Sequence, residues 1–359
     1  MIKYNSYFNN KIVNTTSNKV YRIDNNNYLG GGKDGEVFSV NGEVAVKLYI
    51  DTISPSALDK IKYLITLGNK GYFHESIIHP IELVEFESKT IGFSMRFIPD
   101  AKPINQFKWN SDIPIQQQEL FDRTIANILY NLCDALKSLH KNRIYLGDLK
   151  PANILVSGFQ PYIIDFDSCS LPNYPGESFT IEYLDPLIRD GIPDAIGKNS
   201  EFSAKSDWWA VGVMSFLLFI GISPWGGINR KYLRDPYATR SFNYSSIHID
   251  PLVRLPKSVR TKDWLTKRPR LLEFYKGIFS TNGEARKPIS RTLELYYSKE
   301  SFHTSDRKEL QLLINKLIID KSTKVFLEGY IDHLIQKSLN KYEKYKTVKN
   351  QLLDFMYYD

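Results

Sequence analysis

Asp148, Asn153 and Asp165 constrain this chain more tightly than any other feature: an acid, an amide five residues on, and a second acid twelve residues after that. Carboxylate and amide oxygens are what a hard divalent cation takes as ligands, and an acid kept beside them is placed to accept a proton. The three are thus candidates for a proton acceptor and two metal ligands, spaced as a phosphoryl-transfer site needs them. The chain is long enough to build one. Its 359 residues, 42% hydrophobic and 24% charged, exceed the ordinary single-domain size and predict two lobes around substantial cores.

Residues from Val20 to about Pro99 read as short β-runs broken by Gly and Asn, with one helix between Ser54 and Leu67. Ser54 and Pro55 mark its start, and Leu58, Ile61 and Ile65 fall on one face. From Gln116 the apolar spacing turns helical, through Leu120, Ile125, Ile128, Leu129, Leu132 and Leu136. The joint between the strand-rich and helical parts is expected near Arg96 to Asp100. Beyond Arg291, Leu310, Leu313, Ile314, Leu317 and Ile318 form one apolar stripe, and Tyr345, Val348, Leu352, Phe355 and Met356 another. These stripes must be covered, by the rest of the chain or by a docked partner.

Two stretches precede the acids in the order a phosphate site would need. Leu29-Gly30-Gly31-Gly32-Lys33-Asp34-Gly35-Glu36-Val37 fits G-x-G-x-x-G-x-V, in which missing side chains let backbone N–H groups close over phosphates. Such glycines are also common in plain hairpin turns. Val44-Ala45-Val46-Lys47 follows at strand distance, then Gly147-Asp148-Leu149-Lys150-Pro151-Ala152-Asn153 and Asp165-Phe166-Asp167. Glu182-Tyr183-Leu184-Asp185-Pro186, Ser206-Asp207-Trp208-Trp209-Ala210-Val211-Gly212 and Ala285-Arg286 complete the series.

In this order and at these spacings, residues 20 to about 295 resemble the eukaryotic-type protein kinase superfamily. The resemblance implies an α+β bilobal fold: an N-terminal extension over 1–19, a small β-rich N-lobe over 20–98, a large α-helical C-lobe over 99–298 and a helical C-terminal extension over 299–359. It implies ATP and Mg2+ as cofactors and a protein Ser/Thr substrate. Asp148 would be the catalytic base, Lys150 and Lys47 would neutralise phosphate charge, and Asn153 and Asp165 would hold the metal. Leu29, Gly30, Gly32, Gly35, Val37, Ala45, Met95 as gatekeeper and Leu155 would enclose the nucleotide. Asp207 would brace the catalytic-loop backbone.

The departures are as informative. The family pairs its lysine with a Glu on the next helix, where this chain offers only Asp59. The H-R-D arginine is Gly147, as in divergent bacterial members, so a phosphorylated activation loop would lack its waiting cation. The D-F-G glycine is Asp167, read either as a tolerated turn residue or as a further carboxylate near the metal. Leu187 stands where the family has a Glu that pairs a late arginine; Arg286 matches the arginine and Asp185 is the candidate partner. A pseudokinase scaffold and a small-molecule kinase remain alternative readings.

Cys133 and Cys169 are the only cysteines, which argues against a disulfide framework and favours a reducing, cytoplasmic setting, with delivery into another cell left open. The fifteen-residue apolar run Trp208 to Ile222 is too short to span a membrane and predicts a buried helix. The net charge is +7, yet residues 229–291 alone carry fifteen Lys or Arg against five Asp or Glu. That region is either a solvated face or a site for an acidic partner or nucleic acid.

Overall fold

The computed structural model describes residues 8–32, 35–176, 178–189, 202–224, 257–260, 262–280, 283–297 and 341–357, with scattered positions between 310 and 335. The described chain is α+β. A seven-stranded antiparallel sheet comes first, from β1 (Ile12–Thr15), β2 (Val20–Arg22), β3 (Tyr28–Gly31), β4 (Gly35–Ser39), β5 (Val44–Tyr49), β6 (Glu82–Phe86) and β7 (Lys89–Arg96). Its spatial order is β2-β1-β6-β7-β5-β4-β3. Strand β1, in the stretch set aside as an N-terminal extension, belongs to this sheet: Thr15 pairs with Val84, and Val13 and Phe8 enter the core with Phe38, Val46 and Leu48. A second sheet joins β8 (Lys102–Pro103), β9 (Ile154–Ser157) and β10 (Gln160–Ile163) in the order β10-β9-β8.

Helix α1 (Pro55–Asn69) starts where its sequence signals it. The Ser54 hydroxyl accepts from Ala57 N, and Pro55 takes the first helical position, where a missing N–H costs nothing. Ile61 and Leu64 are buried, and Leu58 and Ile65 pack beside them against Ala45, Phe93 and Met95. Helix α2 (Gln118–Lys141) buries Ile125, Ile128, Leu129, Leu132 and Leu136; Leu120, expected on the same stripe, is exposed in its first turn.

The remaining described helices are α3 (Pro186–Arg189), α4 (Ala204–Ile220), α5 (Lys262–Thr266), α6 (Pro269–Ile278), α7 (Ser290–Tyr297) and α8 (Lys341–Tyr357). Trp208 to Ile220 is buried almost without interruption, as its composition predicts. Among the described residues no helix is long and apolar enough to cross a membrane. Leu310, Ile314, Tyr345, Val348 and Leu352 of the two late stripes meet one another, with Ile331 and Ile335, in a cluster of their own. The other stripe residues, Leu313, Leu317, Ile318, Phe355 and Met356, have side chains outside the described set.

The chain divides into two compact units, Met1–Gln106 with Ala135–Leu184 and Ile188–Asp207, and Phe107–Asp134 with Asp185–Leu187 and Trp208–Asp359. Every residue assigned above to nucleotide, metal or proton transfer lies in the first. Of the basic stretch, residues 229–256 lie outside the described residues. Three of its later cations turn inward instead of forming a charged face. Arg260 is buried against Asp122 and over the ring of Trp109, Arg268 reaches the same carboxylate at 3.0 Å, and Arg286 is buried on Asp185.

Candidate active site

The glycine loop runs along the paired strands β3 and β4; Lys33 and Asp34 lie outside the described residues. Gly32 N donates to Gly35 O at 2.9 Å. A Cβ on Gly35 would lie 2.5 Å from Leu48 O, so that glycine is needed for strand pairing. A Cβ on Gly30 or Gly32 would meet nothing within 4 Å. Packing among the described residues does not require glycine at either position. Leu29, on β3, is exposed; Val37 is half-buried on β4; Ala45 and Met95 are buried register partners on β5 and β7. Leu155 lies half-buried in the second sheet, on β9.

Lys47 projects from β5 into a cluster of acids. Its Nζ donates to Asp165 Oδ1 at 2.6 Å and to Asp167 Oδ1 and Oδ2 at 2.9 and 2.8 Å. Asp167 also accepts the Tyr49 hydroxyl at 2.5 Å. Burial works against the ammonium, but the charges of Asp167 and then Asp165 outweigh it and hold Lys47 above the ordinary lysine value. Asp167 is likewise buried, yet Lys47 keeps its carboxyl below the usual carboxylate range. Asp59 is elsewhere: its side chain is 64% exposed and sits 4.0 Å from Lys62 on the same helix. It is therefore not the lysine's counter-ion in this structure.

The D-F-D turn differs from its sequence reading. Asp165, not Asp167, takes the left-handed backbone, at φ 59° and ψ 38°, at a cost of about 1–2 kcal/mol for a residue with a Cβ. Asp167 sits within a short 3-10 turn, Phe166–Ser168, fixed by Ser168 Oγ donating to Asp165 O at 2.8 Å. Phe166 is buried edge-on to Phe73.

The loop bearing Asp148 is held from behind. Leu146 N donates to both oxygens of buried Asp207, at 3.2 and 3.1 Å, and His140 Nε2 lies 2.8 Å from the same carboxylate. Tyr145 and Ser170 exchange backbone hydrogen bonds at 3.0 and 2.7 Å, tying this loop to the segment after Asp167. Gly147 has φ +63°, and a Cβ there would lie 2.9 Å from the Phe202 ring. A side chain at the position of the family's arginine would thus be strained by the backbone and would have to displace the Phe202 ring. Asp148 is nearly buried; Lys150 Nζ donates to its Oδ2 at 2.7 Å and the Thr180 hydroxyl to its Oδ1 at 2.6 Å. Lys150 Nζ also reaches Thr180 Oγ1 at 3.0 Å, closing a triangle.

Asn153 donates its amide N–H to Asp148 O at 3.0 Å, which leaves its carbonyl oxygen to serve as a ligand. Ile164 N donates to Asn153 O at 2.9 Å, so the residue before Asp165 is joined directly to the Asn153 turn. Among the described residues no three His, Cys, Asp or Glu side chains are grouped as a metal cage. Magnesium rarely uses one; it takes one or two protein oxygens and completes its shell with phosphate and water. Asp165, 36% exposed, and Asn153 fit that donor set.

Sequence reasoning missed Thr180, Tyr49 and His140 and read Asp167 as a turn or metal residue. Only Thr180 had a usable signal, its place two residues before the Glu182-Tyr183-Leu184-Asp185-Pro186 segment. In the second unit Arg286 Nε and Nη2 grip Asp185 at 2.9 and 3.1 Å, so Asp185 is the arginine's partner and Leu187 is half-exposed beside Gly283. Cys133 and Cys169 are both buried, and burial pushes the Cys169 thiol up to about 12, far from a reactive thiolate.

The family model described as "Protein kinase domain" matches residues 23–320. Serine/threonine-protein kinase 1 of Lymantria dispar multicapsid nuclear polyhedrosis virus is 30% identical over 132 residues, covering 36% of this chain and 43% of that protein. Myosin light chain kinase 2, skeletal/cardiac muscle, of Rattus norvegicus is 26% identical over 229 residues, covering 61% and 36%. Myosin light chain kinase 3 of Homo sapiens is 26% identical over 234 residues, covering 61% and 27%. The chain thus spans less than half the length of these curated relatives.

Proposed function

We propose, from the premise that the chain belongs to the protein kinase family, that it transfers the γ-phosphate of ATP, with magnesium, to Ser or Thr hydroxyls of proteins, itself included. The observation that carries this reading is the Asp148–Lys150–Thr180 triangle, built on a loop whose Asn153 backbone is bonded to the strand leading into Asp165. Each oxygen of Asp148 accepts one hydrogen bond and keeps another lone pair, so a substrate hydroxyl can be oriented and its proton accepted there. Lys150 sits beside that point to neutralise the transferred group's charge, and Lys47 does the same for the phosphates behind it. Asp165 and Asn153 would hold magnesium, which supplies charge neutralisation at the phosphate oxygens. Gly30, Gly32 and Gly35 would close over the phosphates, and Leu29, Val37, Ala45, Met95 and Leu155 over the base.

Lys150 favours Ser or Thr over Tyr, a preference in line with the viral relative's being a serine/threonine-protein kinase. Gly147 marks a divergent member, and a cytoplasmic site of action rests on the sparse cysteines. The second reading, a scaffold that binds nucleotide without transfer, is favoured by Asp167 standing in place of the D-F-G glycine.

Radiolabelled ATP with a generic protein substrate separates them. Wild type should incorporate label, and Asp148→Ala and Asp165→Asn should lower incorporation by about a thousandfold or more while remaining folded by circular dichroism. Thermal stabilisation of wild type by ATP and magnesium with no label incorporated would decide for the scaffold. Unchanged turnover in Asp165→Asn would remove the metal assignment.

A further inference from the structure

Lys47 is an ammonium with an 11% exposed side chain, and such a group needs a fixed opposite charge to stay both charged and aimed. In the family the resemblance points to, an acid of the following helix supplies it. Helix α1 carries one acid, Asp59, and it faces solvent near Lys62. The carboxylate that does meet Lys47 comes from the other end of the site. Asp167 is 9% exposed, places both oxygens on Nζ, and is gripped a third time by the Tyr49 hydroxyl. Tyr49 lies two residues after Lys47 on β5, so both side chains leave the same face of the strand. Asp165 also touches Lys47, but it is more exposed and is wanted for the metal.

We infer that Asp167, locked by Tyr49, is the positioning residue of Lys47: it fills the charge role of the absent helix acid from the position where the family has glycine. The aim of the lysine is then set by β5 and the Phe166–Ser168 turn, and no ionic contact from α1 is needed to assemble the phosphate site. Without Asp167 the ammonium would be left with Asp165, one of the two residues that would hold magnesium. The inference rests on the transfer reading above and deepens it.

Full-length wild type is compared with Asp167→Asn, Asp167→Gly, Tyr49→Phe and Asp59→Asn. Steady-state transfer gives KM for ATP and kcat, calorimetry gives the affinity for ADP with magnesium, and thermal melts report folding. Asp167→Asn and Asp167→Gly should raise KM for ATP about tenfold and weaken ADP binding by a similar factor, with kcat reduced only a few-fold. Restoring the family's own glycine should thus harm the enzyme. Tyr49→Phe, which keeps the ion pair and the fold, should raise KM about threefold, and Asp59→Asn should leave both constants unchanged. A purely structural pair would lower the melting point of the Asp167 variants without moving KM or ADP affinity. That result, or a loss in Asp59→Asn equal to that in Asp167→Asn, overturns the inference. If wild type transfers no phosphate, the transfer reading fails alone: tenfold weaker ADP binding in Asp167→Asn still supports the positioning role, and equal binding overturns it.

Discussion

Two buried lysines, one in each unit, meet opposite fates. Lys47 has two carboxylates on its amine, and although burial opposes the charge, Asp167 and Asp165 hold it above the ordinary lysine value. Lys344, on α8 next to Tyr345 of the late apolar cluster, is buried too, and there burial pushes the amine down to about 7. The same side chain is therefore a permanent cation in one place and half-neutral at physiological pH in the other. At Lys47 the charges of Asp167 and Asp165 outweigh burial, whereas at Lys344 burial dominates; a permanent cation is what the proposed phosphate role of Lys47 needs.

The largest test removes the cation from the first environment. Lys47→Met leaves Asp165 and buried Asp167 facing each other with no compensating charge, a case that typically costs about 3–5 kcal/mol. Transfer should be lost, and urea denaturation should show the deficit at pH 7. The sign with pH follows from the missing partner. Burial then pushes the Asp167 carboxyl up, so the folded variant binds more protons than the unfolded chain above about pH 4. The deficit should shrink as pH falls toward 4. A deficit independent of pH would mean that Asp167 is not held ionised by Lys47.

The second environment responds in the other direction. With the Lys344 amine pushed down to about 7 when folded, against 10.5 for an ordinary lysine, the unfolded chain binds more protons between those limits. Wild-type stability from this group should thus rise as pH increases from 7 to 10.5. Lys344→Met should be flat over that window and, at pH 7, more stable by about 1–2 kcal/mol, less than the full shift implies because a lysine stem can carry its head toward water. Denaturation midpoints at pH 7 and 10 measure both. A stabilisation that persists at pH 10 would point to packing, not charge.

The contrast also explains what could be read beforehand. The Ser54 cap, the Ile61 spacing and the Gly147 to Asn153 loop are encoded within a few residues of one another, so pattern alone finds them. Lys47 and Asp167 are 120 residues apart, and Thr180 is 32 from Asp148. Nothing local says which acid a strand lysine will meet. A one-residue helix acid, Asp59, was the natural candidate because the family places its acid there, but α1 turns that position outward while it buries Ile61 and Leu64. β1 pairs locally with β2, through Ile12 with Arg22, Val13 with Tyr21 and Asn14 with Val20, but its link to the rest of the sheet, Asn14 with Glu85 and Thr15 with Val84, spans some seventy residues and has no local signal.

Lys150 completes the comparison as a third lysine, more exposed than Lys47, with one carboxylate and a hydroxyl instead of two carboxylates. Among the described residues no charge beyond Asp148 reaches its amine, so its aim depends on the Thr180 oxygen at 3.0 Å and on the bond that Thr180 donates to Asp148. Thr180→Val keeps the volume and deletes both bonds. Hydrogen bonds to charged groups are worth about 1.5–3 kcal/mol each, less where water can replace the hydroxyl beside the partly exposed Lys150. With Asp148 serving the acceptor side as proposed and Lys47 untouched, the expected result is a kcat about fivefold lower with KM for ATP unchanged. Thr180→Ser should recover most of the rate. If Thr180→Val instead raises KM for ATP as Asp167→Asn does, the two lysines do not divide the site between nucleotide and acceptor, and the triangle around Asp148 has a different task.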